Sequence, residues 1–364
     1  MNRKIRVGVV FGGKSGEHEV SIQSARSVIE NLDPAKFDVL PIGIDKKGTW
    51  HVGLGAYNAL GAPIPTQLLT DEVEAEAVTE LTPLAQGAIM PLSSVGDIDV
   101  ILPILHGPFG EDGTVQGLFE LLNLPYVGAG VLASSVGMDK AMMKKVFAEE
   151  GLKQARYEVV LRSRFEREPE LVTERVEASI GYPCFIKPAN LGSSVGISKA
   201  KNREELHLAL QLAAKYDRKI IIEEAVDGRE IEVAVLGNEE PAASVAGEIV
   251  SSSEDFYDYQ AKYLDGESVM IIPADLTPEQ SDEVRQLAIQ AFLAIDGSGL
   301  SRVDFFLCRK TGQFLINEIN TFPGFTIFSM YPKLWEVTGL PYDQLLEKLI
   351  ELAIERHEDK NRER

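Results

Sequence analysis

The sequence predicts an α/β chain made of more than one unit and opening on a mostly parallel sheet. Three observations carry this. Apolar runs too short for helices alternate with stretches of helical periodicity through the first third of the chain, the pattern of strands joined by crossover helices. At 364 residues the chain exceeds what one simple core organises, so two or three units are expected. Residues 301–325, SRVDFFLCRKTGQFLINEINTFPGF, read as a β-hairpin, which belongs to an α+β unit and not to a parallel sheet.

In order, IRVGVVF (5–11) is a continuous apolar strand, and SIQSARSVIENL (21–32) spaces its apolar residues for a helix. FDVLPIGI (37–44) and IDVILPIL (98–105) are further strands, followed by a helix over 114–124. Residues 51–96 are rich in Ala, Leu and Pro with weak periodicity and read as an irregular insertion. A helix is expected over 138–151, stopped by Gly151. Then come a strand over 182–190, a helix over 202–216, strands over 219–226 and 229–237, and the strand ESVMIIP at 267–273. A helix over 278–295, the hairpin, and an amphipathic C-terminal helix through LLEKLIELAIERH complete the chain.

Composition excludes several classes. A net charge of −20 argues against nucleic acid as a general partner. No apolar run is long enough to cross a bilayer, and the N-terminus reads as a first strand, not a signal peptide, so a cytoplasmic protein without membrane contact is expected. Two cysteines, Cys184 and Cys308, lie in predicted strands and read as buried small hydrophobes, with no disulfide framework.

Chemistry concentrates in four segments. A three-residue hairpin loop centred on Thr311 with Gly312 left-handed would set Asp304 opposite Glu318 and Arg302 opposite Asn320, all four on one face. Like charges directly opposite repel, so the pair asks for a cation, and two carboxylates with an Asn oxygen suit Mg²⁺ beside nucleotide phosphates. Residues 187–196, KPANLGSSVG, put Lys187 at a strand end before a Gly/Ser loop whose N–H groups can ring phosphate oxygens. GVVFGGKS (8–15) satisfies the P-loop pattern, but Val9, Val10 and Phe11 belong to the strand and GEHEVS intervenes before the helix, so the match is read as false. Glu17, on that intervening loop, and His106, ending another strand, lie at the carboxyl edge of the sheet, where ligands of open α/β sheets gather. Glu17 suits either a substrate ammonium or the helix dipole. The aromatic, charged loop 254–266 suits a lid that excludes water.

FGGKSGEHEVS, HGPFGEDGTVQG, GVLASSVGMDK, KPANLGSSVG, FYDYQAKY, RVDFFL and NEINTFPGFTIFSMYP occur in that order. Together they resemble the ATP-grasp superfamily, and closely the D-alanine–D-alanine ligases of peptidoglycan synthesis. The resemblance implies an ATP-grasp fold with an N-terminal parallel-sheet α/β domain (1–136), a central α+β subdomain (137–228) and a C-terminal α+β subdomain (229–364). It implies that Lys140, Lys187 and Lys262 hold ATP phosphates. Glu223 and the backbone of Val226 would read adenine, Glu230 the ribose, and Phe306 would pack on the ring. Asp304, Glu318 and Asn320 would bind two Mg²⁺ ions, or Mn²⁺ in their place. Glu17, tied to Ser193 and Tyr263, would receive the first D-alanine; Ser329 would meet the second, with His106 and Met330 also lining the substrate site. Arg302 and the Gly324 N–H would stabilise the tetrahedral oxyanion. The expected partners are D-alanine and ATP, the expected assembly a homodimer. Phe322 stands where family members often have a smaller residue. The rival readings are another ATP-grasp carboxylate–amine ligase, a D-alanine–D-lactate type ligase, and a nucleotide-binding module without turnover.

Overall fold

A computed structural model describes residues 3–68, 98–192, 195–251 and 268–362. Three sheets organise them. The first has the order β3-β2-β1-β4, formed by β1 (Ile5–Gly12), β2 (Phe37–Ile44), β3 (Trp50–Val52) and β4 (Val100–Ile104). β1 runs parallel to β2 and β4, and β3 is antiparallel to β2. Val7, Val9 and Phe11 are buried beneath Ile22, Ala25, Val28 and Ile29 of α1 (His18–Asn31), and Val10 on the opposite face is buried with Ile42, Val115 and Phe119. The predicted insertion is structured as far as it is described: β3, α2 (Gly55–Leu60) and a 3₁₀ turn at Thr66–Leu68 follow β2, with Tyr57 buried on Phe11. The rest of it, 69–97, lies outside the described residues.

α3 (Thr114–Leu121) and α4 (Val131–Met138) lead out of this sheet. The single helix expected over 138–151 is instead a break followed by α5 (Lys140–Glu149). Asp139 is extended and accepts from the main-chain N–H of Ala141 and Met142, so it ends one helix and caps the next. Its neighbour Lys140 therefore sits at a helix start with its side chain turned inward, which periodicity alone could not reveal.

The second sheet, antiparallel throughout, has the order β5-β8-β6-β7. Its strands are β5 (Tyr157–Leu161), β6 (Cys184–Pro188), β7 (Ser198–Ala200) and β8 (Lys219–Glu224). Helices α6 (Arg162–Arg167), α7 (Pro169–Ser179) and α8 (Arg203–Tyr216) accompany it and share a core of Val160, Val176, Ile186, Leu206, Leu210 and Ile222. Neither β5 nor α6–α7 was anticipated, since RSRFEREPE breaks up the hydrophobic periodicity that would mark them.

The third sheet, also antiparallel, has the order β11-β10-β9-β12-β13. It comprises β9 (Gly228–Gly237), β10 (Ala242–Ser251), β11 (Ser268–Ile271), β12 (Gly299–Cys308) and β13 (Phe314–Asn320). α9 (Pro278–Ala294) starts on a reciprocal capping box between Thr277 and Gln280 and packs on β9 and β10. α10 (Met330–Thr338) and α11 (Tyr342–Lys360) bury Leu334, Trp335, Leu345, Leu346, Leu349 and Ile350 in a core continuous with Val7, Val9, Leu102 and Ile104 of the first sheet. Each such side chain is worth about 1.5–3 kcal/mol relative to exposure, so α11 fastens the first sheet to the third. Phe322 belongs to this core; its ring lies over Gly128, where a Cβ would come within 3.2 Å of it. Cys184 is buried as expected, but Cys308, at the hairpin turn, is partly exposed.

Candidate active site

The hairpin β12–β13 has the register expected at its polar end, with Arg302 facing Asn320 and Asp304 facing Glu318. The route to that register differs. Cys308 N–H bonds Gln313 O, so the loop holds four residues, Arg309 to Gly312, and not three. Beyond Phe306–Leu315 and Phe305–Ile316 the pairing shifts, leaving Asn317 as an extra residue in β13. Two one-residue departures cancel at the site. The bulge also buries both Ile316 and Ile319, which strict alternation would send to opposite faces.

Arg302 holds Asp304 in a two-pronged bond, Nε to Oδ1 at 2.7 Å and NH2 to Oδ2 at 2.8 Å. It also lies 3.1 Å from Glu232 of the adjacent strand β9. Burial opposes the charge on Arg302, but Asp304 and Glu232 outweigh it and keep the guanidinium firmly protonated. Asn320 Nδ2 donates to Asp304 at 3.0 Å, and Lys140 stands 3.3 Å from Glu318. The repulsion read from sequence is therefore met in part by Arg302 and Lys140, and does not by itself require a metal. Among the described residues no group of three His, Cys, Asp or Glu clusters as a metal site. The set on offer is two acids and an amide, all oxygen donors, which fits a hard cation and not a soft one.

Three sheets meet at one small cavity lined by Glu111, Gly137, Met138, Lys140, Gly192, Glu318, Ile319, Asn320 and Thr321. Lys140 also donates to Leu191 O at 3.0 Å, which ties the start of α5 to the Gly/Ser loop after β6. Lys187 of β6 points at Glu223 of β8, at 2.5 Å. On the other side of the same carboxylate stands Lys144 of α5, at 2.6 Å and with its side chain 1% exposed. Burial would push the Glu223 acid upward, but the two ammonium groups outweigh it and hold it at about 2. Beyond this group, Phe306 and Glu230 are register partners on β12 and β9, Phe306 half-buried and Glu230 exposed, and half-buried Val226 lies in the turn between β8 and β9.

On the first sheet, Glu17 makes no side-chain cap to its own helix. Its Oε2 instead lies 2.6 Å from where a Cβ on Gly107 would stand and 3.7 Å from the corresponding point on Gly192. Gly107, at φ +75°, is thus required twice, by its backbone and by the space Glu17 fills. This favours the cleft over the helix dipole as the role of Glu17. His106 is buried, with Nδ1 3.3 Å from Glu111 and Nε2 3.4 Å from Ser24. The P-loop match fails as expected: Gly8 to Phe11 lie inside β1, and α1 begins only at His18. Lys14 lines a separate, largely apolar cavity of about 240 Å³ with Trp50, Leu105, Pro108 and Leu118.

At the far side, Gly324 closes on Ser329, whose hydroxyl is 3.2 Å from a Cβ built there and bonds Thr326 N–H at 3.1 Å. Met330 has its side chain buried in the core against Gly247 of β10, so what it offers a ligand beside Ser329 is its main chain. Ser193, Lys262 and Tyr263 lie outside the described residues. Sequence reading missed Glu111 and Lys144. For Glu111, the signal was its place in HGPFGEDG beside the sheet edge; for Lys144, it was a lysine on the apolar face of α5.

Family models match most of the chain: the D-ala D-ala ligase N-terminus over residues 6–129 and the D-ala D-ala ligase C-terminus over 146–351. A D-alanine--D-alanine ligase of Geobacillus thermodenitrificans is 54% identical over 357 residues, covering 98% of this chain and 97% of the relative. One from Ruminiclostridium cellulolyticum is 51% identical, covering 99% and 98%. Among solved structures, the D-alanine-D-alanine ligase from Coxiella burnetii superposes with a TM-score of 0.81 at 36% identity, covering 99% of this chain and 97% of that one. The VanG D-Ala:D-Ser ligase from Enterococcus faecalis gives the same score and identity, covering 96% and 100%.

Proposed function

The chain belongs to the D-alanine–D-alanine ligase family, and on that premise we propose that it joins two D-alanine molecules through a D-alanyl phosphate, as a step of peptidoglycan precursor synthesis. It is an ATP-dependent ligase of the ATP-grasp fold. The observation that carries the site assignment is the convergence of Lys140, Glu318, Asn320, Glu111 and the 191–192 loop on one cavity.

In this reading Lys140, Lys187 and, by family resemblance, Lys262 hold phosphates, and Val226, Glu230 and Phe306 receive the nucleoside. Glu223 sets the charge beneath them, because its carboxylate is shared between Lys187 and Lys144. Asp304, Glu318 and Asn320 would hold Mg²⁺, two ions by family resemblance, which when bound neutralises phosphate charge and fixes phosphate geometry. Glu17, supported by Ser193 and Tyr263, takes the ammonium of the first D-alanine. The carboxylate of that D-alanine attacks the γ-phosphorus and ADP leaves. The amine of the second D-alanine, anchored near Ser329 and the Met330 N–H, then attacks the acyl phosphate carbonyl, losing a proton as phosphate departs. Arg302 and the Gly324 N–H face the developing oxyanion, where one donor is commonly worth about 3–4 kcal/mol. By family resemblance, exclusion of water from the closed site would protect the acyl phosphate.

We place the domain boundaries at 1–136, 137–228 and 229–364, so that each unit holds one sheet. Among the described residues no helix is long and apolar enough to cross a membrane; a cytoplasmic location is proposed by family resemblance. A homodimer is the assembly proposed by family resemblance. The test is product analysis with ATP, Mg²⁺ and D-alanine, with D-serine and D-lactate offered as competing second substrates. D-alanyl-D-alanine with stoichiometric ADP is expected. A product dominated by D-alanyl-D-serine or D-alanyl-D-lactate at neutral pH would overturn the substrate assignment.

A further inference from the structure

We infer that Glu111 and His106 act as one positioning unit that aims the second-substrate loop, residues 321–329, at the acyl donor held by the first sheet. This rests on the ligase reading above. His106 ends β4 and is 4% exposed, yet its ring reaches three other elements. Nδ1 is 3.3 Å from the Glu111 carboxylate and Nε2 is 3.4 Å from Ser24 of α1. The Phe322 side chain packs against the same imidazole, with ring centroids 6.2 Å apart. Phe322 stands between Asn320 of the hairpin and Gly324 of the oxyanion turn. A single side chain therefore connects the sheet that carries Glu17 to the turn that carries Gly324 and leads to Ser329.

Glu111 is what makes that connection directional. Its carboxylate meets the His106 ring, and it also lines the cavity beside Lys140 and Asn320. An acid facing one nitrogen fixes the ring's orientation, so that the other nitrogen meets Ser24 and the ring stays packed on Phe322. Neither residue needs to touch substrate for this role. Displacing a reacting group by a fraction of an ångström is enough to slow transfer.

Glu111→Gln is the primary test, because it keeps the side-chain volume while removing the charge opposite the imidazole. Rates are measured against D-alanine and fitted for two separate alanine sites, alongside ATP saturation and the thermal midpoint. The second-site KM is expected to rise, and kcat to fall, by about tenfold, the scale of a small misplacement. The first-site KM, the ATP KM and the midpoint should stay near wild type. His106→Gln should show the same split, and the double variant should be no worse than the more damaged single, as members of one unit behave. Multiplying losses in the double variant, equal changes at both alanine sites, or wild-type kinetics for Glu111→Gln would each overturn the inference. If the wild-type protein makes no dipeptide, the ligase reading fails first and this one with it.

Discussion

Replacing Lys144 with Met should destabilise the protein at neutral pH and lose that effect in acid. Glu223 lies 2.6 Å from Lys144 and 2.5 Å from Lys187, and both contacts are buried. Together the lysines overcome burial and hold the Glu223 acid at about 2 instead of 4.5. At 1.36 kcal/mol per pKa unit, that gap corresponds to about 3 kcal/mol of native-state preference for the carboxylate. Met keeps the volume of the lysine stem and a soft contact to the Tyr157 ring, over which the Lys144 ammonium now sits at 5.4 Å from the centroid. Lys187 remains, so the expected loss is about half, roughly 1–2 kcal/mol, or a few degrees in the unfolding midpoint for a chain of this size. The sign with pH follows from a depressed acid. Its stabilisation is full above the ordinary value of 4.5 and is lost as pH falls toward 2. At pH 2 the contribution should be about 0.5 kcal/mol or less in either protein, so the wild-type and variant midpoints should nearly converge. Differential scanning calorimetry at pH 7 and pH 2 reads both differences. A variant as stable as wild type at pH 7, or a gap as wide at pH 2 as at pH 7, would refute the claim that Lys144 acts through the Glu223 charge.

Two further outcomes test the site. Asp304→Asn or Glu318→Gln should collapse Mg²⁺-dependent turnover while leaving the fold intact, because each removes one charge from the oxygen donor set; wild-type rates at ordinary Mg²⁺ would remove these residues from the metal assignment. Lys187→Ala should weaken ATP binding in equilibrium titration far more than Lys14→Ala, since Lys14 lines a separate cavity beside the first sheet; the reverse order would revive the P-loop reading.

Where sequence reading worked, the signal was local. β1 and β2 were legible because continuous apolar runs of strand length admit little else, and both strands fall where they were expected. The face shared by Arg302, Asp304, Glu318 and Asn320 follows from the pairing of two short strands, and it survives even though the loop is one residue longer than expected and Asn317 bulges to compensate. Where it failed, the missing information was non-local. Nothing in the spacing of KAMMKKVF says that Lys144 meets a carboxylate on β8, because that contact is made by docking α5 against a sheet formed much later in the chain. Met330 has the look of a site residue beside Ser329, yet helix phase turns its side chain onto Gly247, where the absent Cβ leaves room for it.

By itself, then, the sequence determined the kinds of element, the chemistry of the donor set and the motif order, since these depend on residue type and on neighbours a few positions apart. Only the tertiary structure decided which of the charges would neutralise one another. Arg302 on Glu232, Lys140 on Glu318, two lysines on Glu223 and His106 on Glu111 are pairs between separate elements or across a loop. A buried charge is tolerated only where packing delivers its counter-charge, and packing is a property of the whole chain.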